Sequence, residues 1–284
     1  MIIYDFGANN GQNFTYYLSK GYKTVGIEAN PLLCREIEKK FSKEIASGQL
    51  KIINCCLSAT SDDELVTFYI HKTNSLLSQF NKPGYDKLDD FEPINIKSRK
   101  GSSIIKEFGD PYYIKIDIEF YDIMILKELV SNNIYAKYLS IESQSSDILN
   151  VLLESDYKYF NAVFGWTMKK FYPNFDFHMA GPFGEDIKSP WLTKENLSKL
   201  FSIINFGWID IHATTLDIET SEIDLSFYKR DKAPMSLKEI KRRTIVFSRD
   251  ILLKLMPSGL FKIIRKLYKK LAPKKIKSTK TENK

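Results

Sequence analysis

The sequence predicts an α/β chain built on a doubly wound, largely parallel sheet, and three observations carry that expectation. Short apolar runs alternate with segments of helical periodicity from the first residues onward. The first two runs end in an acidic residue beside Gly, Ala or Asn, at Asp5-Phe6-Gly7 and Glu28-Ala29-Asn30, and a third repeats the acid pattern at Asp117-Ile118-Glu119. With 284 residues, 43% of them apolar, the chain can bury one large core or two small ones, and neither a disordered nor a fibrous class fits.

Taken in order, Ile2-Ile3-Tyr4 reads as a buried strand that breaks at Asp5 into a Gly/Asn loop. Asn13 to Ser19 is helix-like, and Lys23 to Ile27 is again a strand. Pro31 opens a helix through about Lys43, with Leu32, Leu33, Ile37 and Phe41 near helical spacing. Strands follow at Leu50 to Cys56, Leu65 to Ile70 and Tyr112 to Ile118, then a helix at Asp122 to Val130, a strand at Lys137 to Ile141 and a helix near Ile148 to Leu153. All are expected in one sheet spanning residues 1–165, with 72–110 as surface loops and a short helix. Residues 165–192 are dense in Gly, Pro and aromatics, among them Trp166, Tyr172 and Trp191, which is the composition of a functional loop rather than a connector. A helix at Lys194 to Ile204 and strand-like Trp208 to His212 and Thr244 to Phe247 return the chain to its core, giving one expected domain over 1–250 and a tail over 251–284.

The net charge of +7 is a property of that tail. Residues 257–284 carry ten Lys or Arg and one Glu, which leaves the rest slightly negative, so a core that binds nucleic acid specifically is not expected. From Gly259 to Leu271, Leu260, Phe261, Ile263, Ile264, Leu267, Tyr268 and Leu271 fall on one helical arc and the basic residues on the other. This pattern of a basic amphipathic helix suits docking on the protein itself, on a second subunit, or on an anionic inner-membrane surface through 258–284. Neither a secretory signal nor a membrane span is expected. The three cysteines, Cys34, Cys55 and Cys56, lack the spacing of a zinc or disulfide framework, which points to the cytoplasm.

The loop Asp5-Phe6-Gly7-Ala8-Asn9-Asn10-Gly11 matches neither a dinucleotide fingerprint nor a phosphate loop. Its spacing puts a carboxylate at a strand end, suited to the amino group of a methionine moiety, while Glu28 at the next strand end can accept from both hydroxyls of a ribose. The two together point to S-adenosylmethionine.

The runs DFGANNGQNFTYYLSKGYKTVGIEANP, INCCLSATSDDELVTFYI and YYIKIDIEFYDIMILKEL resemble the FkbM-type S-adenosylmethionine-dependent methyltransferases over about residues 2–142. The resemblance implies a Rossmann-like methyltransferase sheet in which Asp5, Gly7, Asn9, Gly11, Glu28 and Asn30 line the cofactor and the segment around Ser58 flanks the adenine. The family usually has Gly after Ile-Asp-Ile-Glu, where this chain has Phe120.

For the acceptor, Asp117 and Glu119 lie at the carboxyl end of a central strand, on one face of it if the strand stays extended to Glu119. Glu142, ending the neighbouring strand, could converge with Asp117 and hold Mg²⁺. His178 in the aromatic loop is the histidine placed for a base or acceptor contact, whereas His71 and His212 are expected to pack or face solvent. The resulting expectation is O-methylation of a sugar hydroxyl in a surface polysaccharide or glycolipid, with Asp117, Glu119 and His178 as catalytic candidates. A nucleotide-sugar oxidoreductase using NAD and a non-catalytic scaffold that kept the fold are the alternatives.

Overall fold

The computed structural model describes residues 1–143, 146–164, 182–203, 209–225 and 228, all within one compact unit, Met1–Arg230. Its main sheet has seven strands: β1 (Ile2–Phe6), β2 (Lys23–Glu28), β3 (Leu50–Asn54), β7 (Pro111–Ile116), β8 (Tyr138–Glu142), β9 (Tyr159–Phe164) and β10 (Ile209–Thr214). They lie in the order β3-β2-β1-β7-β8-β10-β9, parallel except for β10, which runs antiparallel to both its neighbours. The sheet therefore extends well past residue 165, and β9, unmarked in the sequence reading, forms its edge.

Alternation along the strands explains why both faces are covered. Tyr4 and Phe6 of β1 join a core with Ile125, Leu126 and Leu129 of α5 (Asp122–Ser131), Ile148 and Leu152 of α6 (Ser146–Glu154) and Leu197 and Leu200 of α7 (Lys194–Ile203). Ile3 points the other way, into a second core with Phe14 and Tyr17 of α1 (Phe14–Ser19) and Ile37 of α2 (Pro31–Lys40). Pro31 occupies the first turn of α2, and the Asn30 side chain caps it by accepting from Leu32 N at 3.0 Å. A short α3 (Ser42–Ala46) then takes over where one longer helix was expected.

The largest departure from the sequence reading concerns residues 56–110. The strand expected from Leu50 to Cys56 is broken at Cys55, and Cys56–Leu57 becomes β4 of a separate three-stranded sheet ordered β4-β6-β5. Its other members are β5 (Leu65–His71) and a nine-residue β6 (Phe91–Arg99), paired antiparallel. The run at 65–70 thus leaves the main sheet, and the segment 72–110 holds a strand and α4 (Gly101–Phe108) besides its loops.

Phe183, in the described part of the aromatic segment, stacks on Tyr113 with ring centroids 3.9 Å apart, and Trp191 packs against Tyr138 at 6.1 Å. Phe183 and Trp191 thereby anchor this part of the segment to the second core face. Trp166, Tyr172, His178, Thr244–Phe247 and the tail 251–284 lie outside the described residues.

Candidate active site

The chain moves outward from β1 to β2 and β3, then returns to β7 on the other side of β1. Such a reversal opens a crevice at the carboxyl ends of the two central strands, where open α/β sheets bind ligands. A cleft of about 700 Å³, open space at its mouth included, lies there and is lined by Gly7 after β1, Glu28 at the end of β2 and Asp117 and Glu119 after β7. Ile27, Leu57 and Phe68 add apolar wall, and Cys55 and Cys56 also face it.

Glu28 is almost fully buried, and its two oxygens accept from Asn9 N at 2.8 Å and Asn30 N at 2.7 Å. Burial pushes its pKa up to about 7 against the pull of those amides. Gly7 has φ +94°, and a Cβ there would lie 1.8 Å from the Asp117 carbonyl oxygen, so β1 and β7 can approach this closely only with glycine. The amides of Gly7 and Ala8 both donate to Ile27 O and that of Gly11 to Ala8 O. The loop is consequently a closed turn braced on β2, and its glycines serve close approach more than anion binding.

Of the residues expected around the cofactor, Gly7, Asn9 and Glu28 line the cleft, whereas Asp5, Gly11, Asn30 and Ser58 stand behind its walls. Asp5 is fully buried and accepts from Asn13 Nδ2 at 3.2 Å, Gly11 makes room for Phe14, Asn30 caps α2, and Ser58 Oγ accepts from the amides of Thr60 and Ser61.

Asp117, Glu119 and Glu142 each bring a carboxylate oxygen within 4.8 Å of the others, close enough to share a cation. Strand alternation does not achieve this. β7 ends at Ile116, and Glu119 and Phe120 have φ +54° and +63°, so the chain turns and carries Glu119 back toward Asp117. The Asp122 side chain closes the turn by accepting from Ile118 N at 3.0 Å. Burial, and then Asp117 and Glu142, push the Glu119 pKa up to about 8.

Sequence reasoning missed Lys115. It is 5% exposed, in register with Asp5 across β1 and β7, and donates to Asp117 at 2.6 Å. Burial disfavours its charge, but Asp117 and Asp5 outweigh that and raise its pKa. The available signal was a lysine inside the apolar run Tyr112-Tyr113-Ile114-Lys115-Ile116 of a central strand. Asp210 of β10, also missed, has its pKa pushed up to about 7 by burial and then by Asp117. Burial lowers the His212 pKa to about 3, which leaves a neutral packing residue, and His71 Nδ1 accepts from the amides of Thr73 and Asn74.

Sheet order and crevice together define a Rossmann-like fold with an acidic residue at three strand ends. The sequence pattern of the methyltransferase FkbM domain matches residues 5–159, over half of the chain, and the chain belongs to that family. Similar solved structures include a methyltransferase FkbM from Methylobacillus flagellatus, at 15% identity and TM-score 0.34, covering 55% of this chain and 38% of that one. A precorrin-6y C5,15-methyltransferase from Geobacter metallireducens has 10% identity and TM-score 0.34, covering 57% and 66%. A protein of the NADB-Rossmann superfamily from Streptococcus agalactiae has 12% identity and TM-score 0.37, covering 95% and 86%. The chain thus spans less than two thirds of the length of the first two. No curated protein matches the sequence.

Methyltransferases of this kind draw on S-adenosylmethionine, and the residues present fit it. Glu28 is a buried acid at the end of β2 with one oxygen fixed by each of two amides, and the apolar wall beside it suits a flat base.

Proposed function

We propose that the protein transfers a methyl group from S-adenosylmethionine to a hydroxyl of a sugar in a surface polysaccharide or glycolipid. The observation that carries this reading is the group Asp117, Glu119 and Glu142, of which Asp117 and Glu119 line the cleft. Carboxyl groups offer mostly hydrogen-bond acceptors, so the acceptor they suit presents several donors, as a sugar does. When bound, the cofactor supplies an electrophilic methyl on sulfur. Glu28 would hold the ribose hydroxyls of that cofactor, while Asp117 stays paired to Lys115 and orients the acceptor, and Glu119 takes the acceptor's hydroxyl proton. His178 is a second candidate base.

The test is methyl-tritiated S-adenosylmethionine offered with a panel of glycosides and a glycolipid extract. Label in an alkali-stable ether on a sugar is the expected product, and label in none of the acceptors overturns the reading. Chelation and addition of Mg²⁺ belong in the same assay: a rate unaffected by both leaves Glu119 as the base, while loss on chelation reassigns the three carboxylates to the metal. NADH turnover at this cleft would favour the oxidoreductase, and cofactor binding without turnover would favour the scaffold.

The basic segment 258–284 suits attachment to an anionic membrane where a lipid-linked acceptor resides, each Lys or Arg contributing about 1 kcal/mol near such a surface. No helix among the described residues is long and apolar enough to cross a membrane. Deleting 258–284 should abolish sedimentation with phosphatidylserine vesicles and leave cofactor binding intact; sedimentation of the truncated chain would refute the attachment.

A further inference from the structure

We infer that Phe120 is a specificity-determining residue whose ring is the platform for the apolar face of the acceptor sugar, while hydroxyls of that sugar donate to Asp117, Glu119 and Glu142. The inference rests on the sugar reading above and deepens it. Phe120 has φ +63°, a conformation that costs a bulky side chain free energy and costs glycine almost none. Burial ordinarily offsets such a cost, yet the residue is 58% exposed. An apolar ring that is strained and left in water contributes little to the fold, and such positions concentrate at ligand sites.

The backbone around the ring is fixed on several sides. Asn81 Nδ2 donates to Phe120 O at 3.3 Å, and Phe80 meets Tyr121 edge to face at 4.7 Å. Glu119 and Tyr121, its two neighbours in sequence, both line the cleft. The ring therefore stands at the rim, one residue from a carboxylate within 4.8 Å of two others. Exposed Leu76, which also lines the cleft, extends the apolar edge. A ligand that satisfies this rim offers hydrogen-bond donors on one side and a C–H face on another. A pyranose has that division, with its equatorial hydroxyls around the edge and axial C–H bonds on the faces.

The test uses the full chain saturated with S-adenosylhomocysteine and saturation-transfer NMR with methyl α-D-mannopyranoside, methyl α-L-fucopyranoside and methyl α-L-rhamnopyranoside. At least one should receive saturation on its ring C–H protons. Phe120→Gly should weaken that glycoside's binding by about tenfold, Phe120→Tyr should retain it, and Phe120→Leu should fall between. Cofactor affinity and the melting temperature should not drop in any variant, because the ring packs little of the core. Equal binding by wild type, Phe120→Gly and Phe120→Leu would overturn the platform while leaving the sugar reading intact. Absence of saturation on every glycoside in the wild type would overturn both.

Discussion

Lys115 is a cation inside a parallel strand, and it is tolerable there because Asp117 caps it at 2.6 Å and Asp5 faces it across the strand pair. The lysine thereby offsets the charge of Asp117 and leaves Glu119 as the carboxylate held protonated up to about pH 8. If Glu119 is the base, the rate should rise with pH and level off above about 8, and Glu119→Gln should lose about 10²–10⁴-fold in kcat without loss of cofactor affinity. A pH-independent rate from 6 to 9 would remove it from that role. Lys115→Met should shift the rising limb to higher pH, since Asp117 would then repel a second negative charge unopposed. Glu28→Gln keeps one acceptor for the amides of Asn9 and Asn30 and removes the charge, so calorimetry should find cofactor binding weakened by about 2 kcal/mol in a folded protein. The sequence exposed Asp117, Glu119 and Glu28 because each follows an apolar run at a strand end. It hid Lys115 because, although Asp117 lies only two residues on, the second partner Asp5 comes from the register of β1 with β7 and not from spacing.

Among the elements, the β1 loop is where geometry is least forgiving. Gly7→Ala sets a Cβ 1.8 Å from a carbonyl oxygen at the end of β7 and should cost about 3 kcal/mol with loss of cofactor binding, whereas Gly21→Ala, at φ +78° with nothing within 4 Å, should cost only about 1 kcal/mol. Comparable denaturant midpoints for the two would mean that β1 and β7 can part cheaply. The same loop was the most legible feature of the sequence, because a tight approach demands glycine and glycine is visible. The β5–β6 pair was not legible. Phe91–Arg99 buries only Phe91, Ile96 and Ser98 along nine residues, and Pro93 interrupts the pattern. A proline is permitted there because β4 pairs only with Ser98 and Arg99, which leaves that edge of β6 open at Pro93. Nothing local to Leu65–His71 states that its partner is β6 and not a strand of the main sheet. Similarly, β9 contains Asn161, which breaks an apolar run, yet it is buried because its side chain donates to Ser189 O and Pro190 O at 2.9 Å.

At the scale of the molecule, these local arrangements add up to a fold that stores protons around one crevice. The pKa values of Asp5 and Asp122 are pushed up to about 6, those of Glu28 and Asp210 to about 7 and that of Glu119 to about 8, in each case by burial first. A carboxyl whose pKa is higher folded than unfolded contributes stability that is present in acid and is lost as pH rises through the folded value. His212, with its pKa lowered to about 3, acts in the opposite sense, its folded form binding fewer protons than the unfolded chain below about 6.5. Above about 6.5 that opposition ends, and Glu28, Asp210 and Glu119 set the slope. The cofactor-free protein should therefore melt at progressively lower temperature from pH 6.5 to 8. S-adenosylmethionine carries positive charge on its sulfonium and amino groups and should favour the ionised carboxylates, so the saturated protein should show a shallower decline. S-adenosylhomocysteine, lacking the sulfonium charge, should restore part of the steepness. Calorimetric melts in the three states at pH 6.5, 7.25 and 8 make the comparison. A melting temperature that rises with pH in the cofactor-free protein would mean that the carboxyls are already balanced within the fold, and the crevice would lose its electrostatic claim on a cationic ligand.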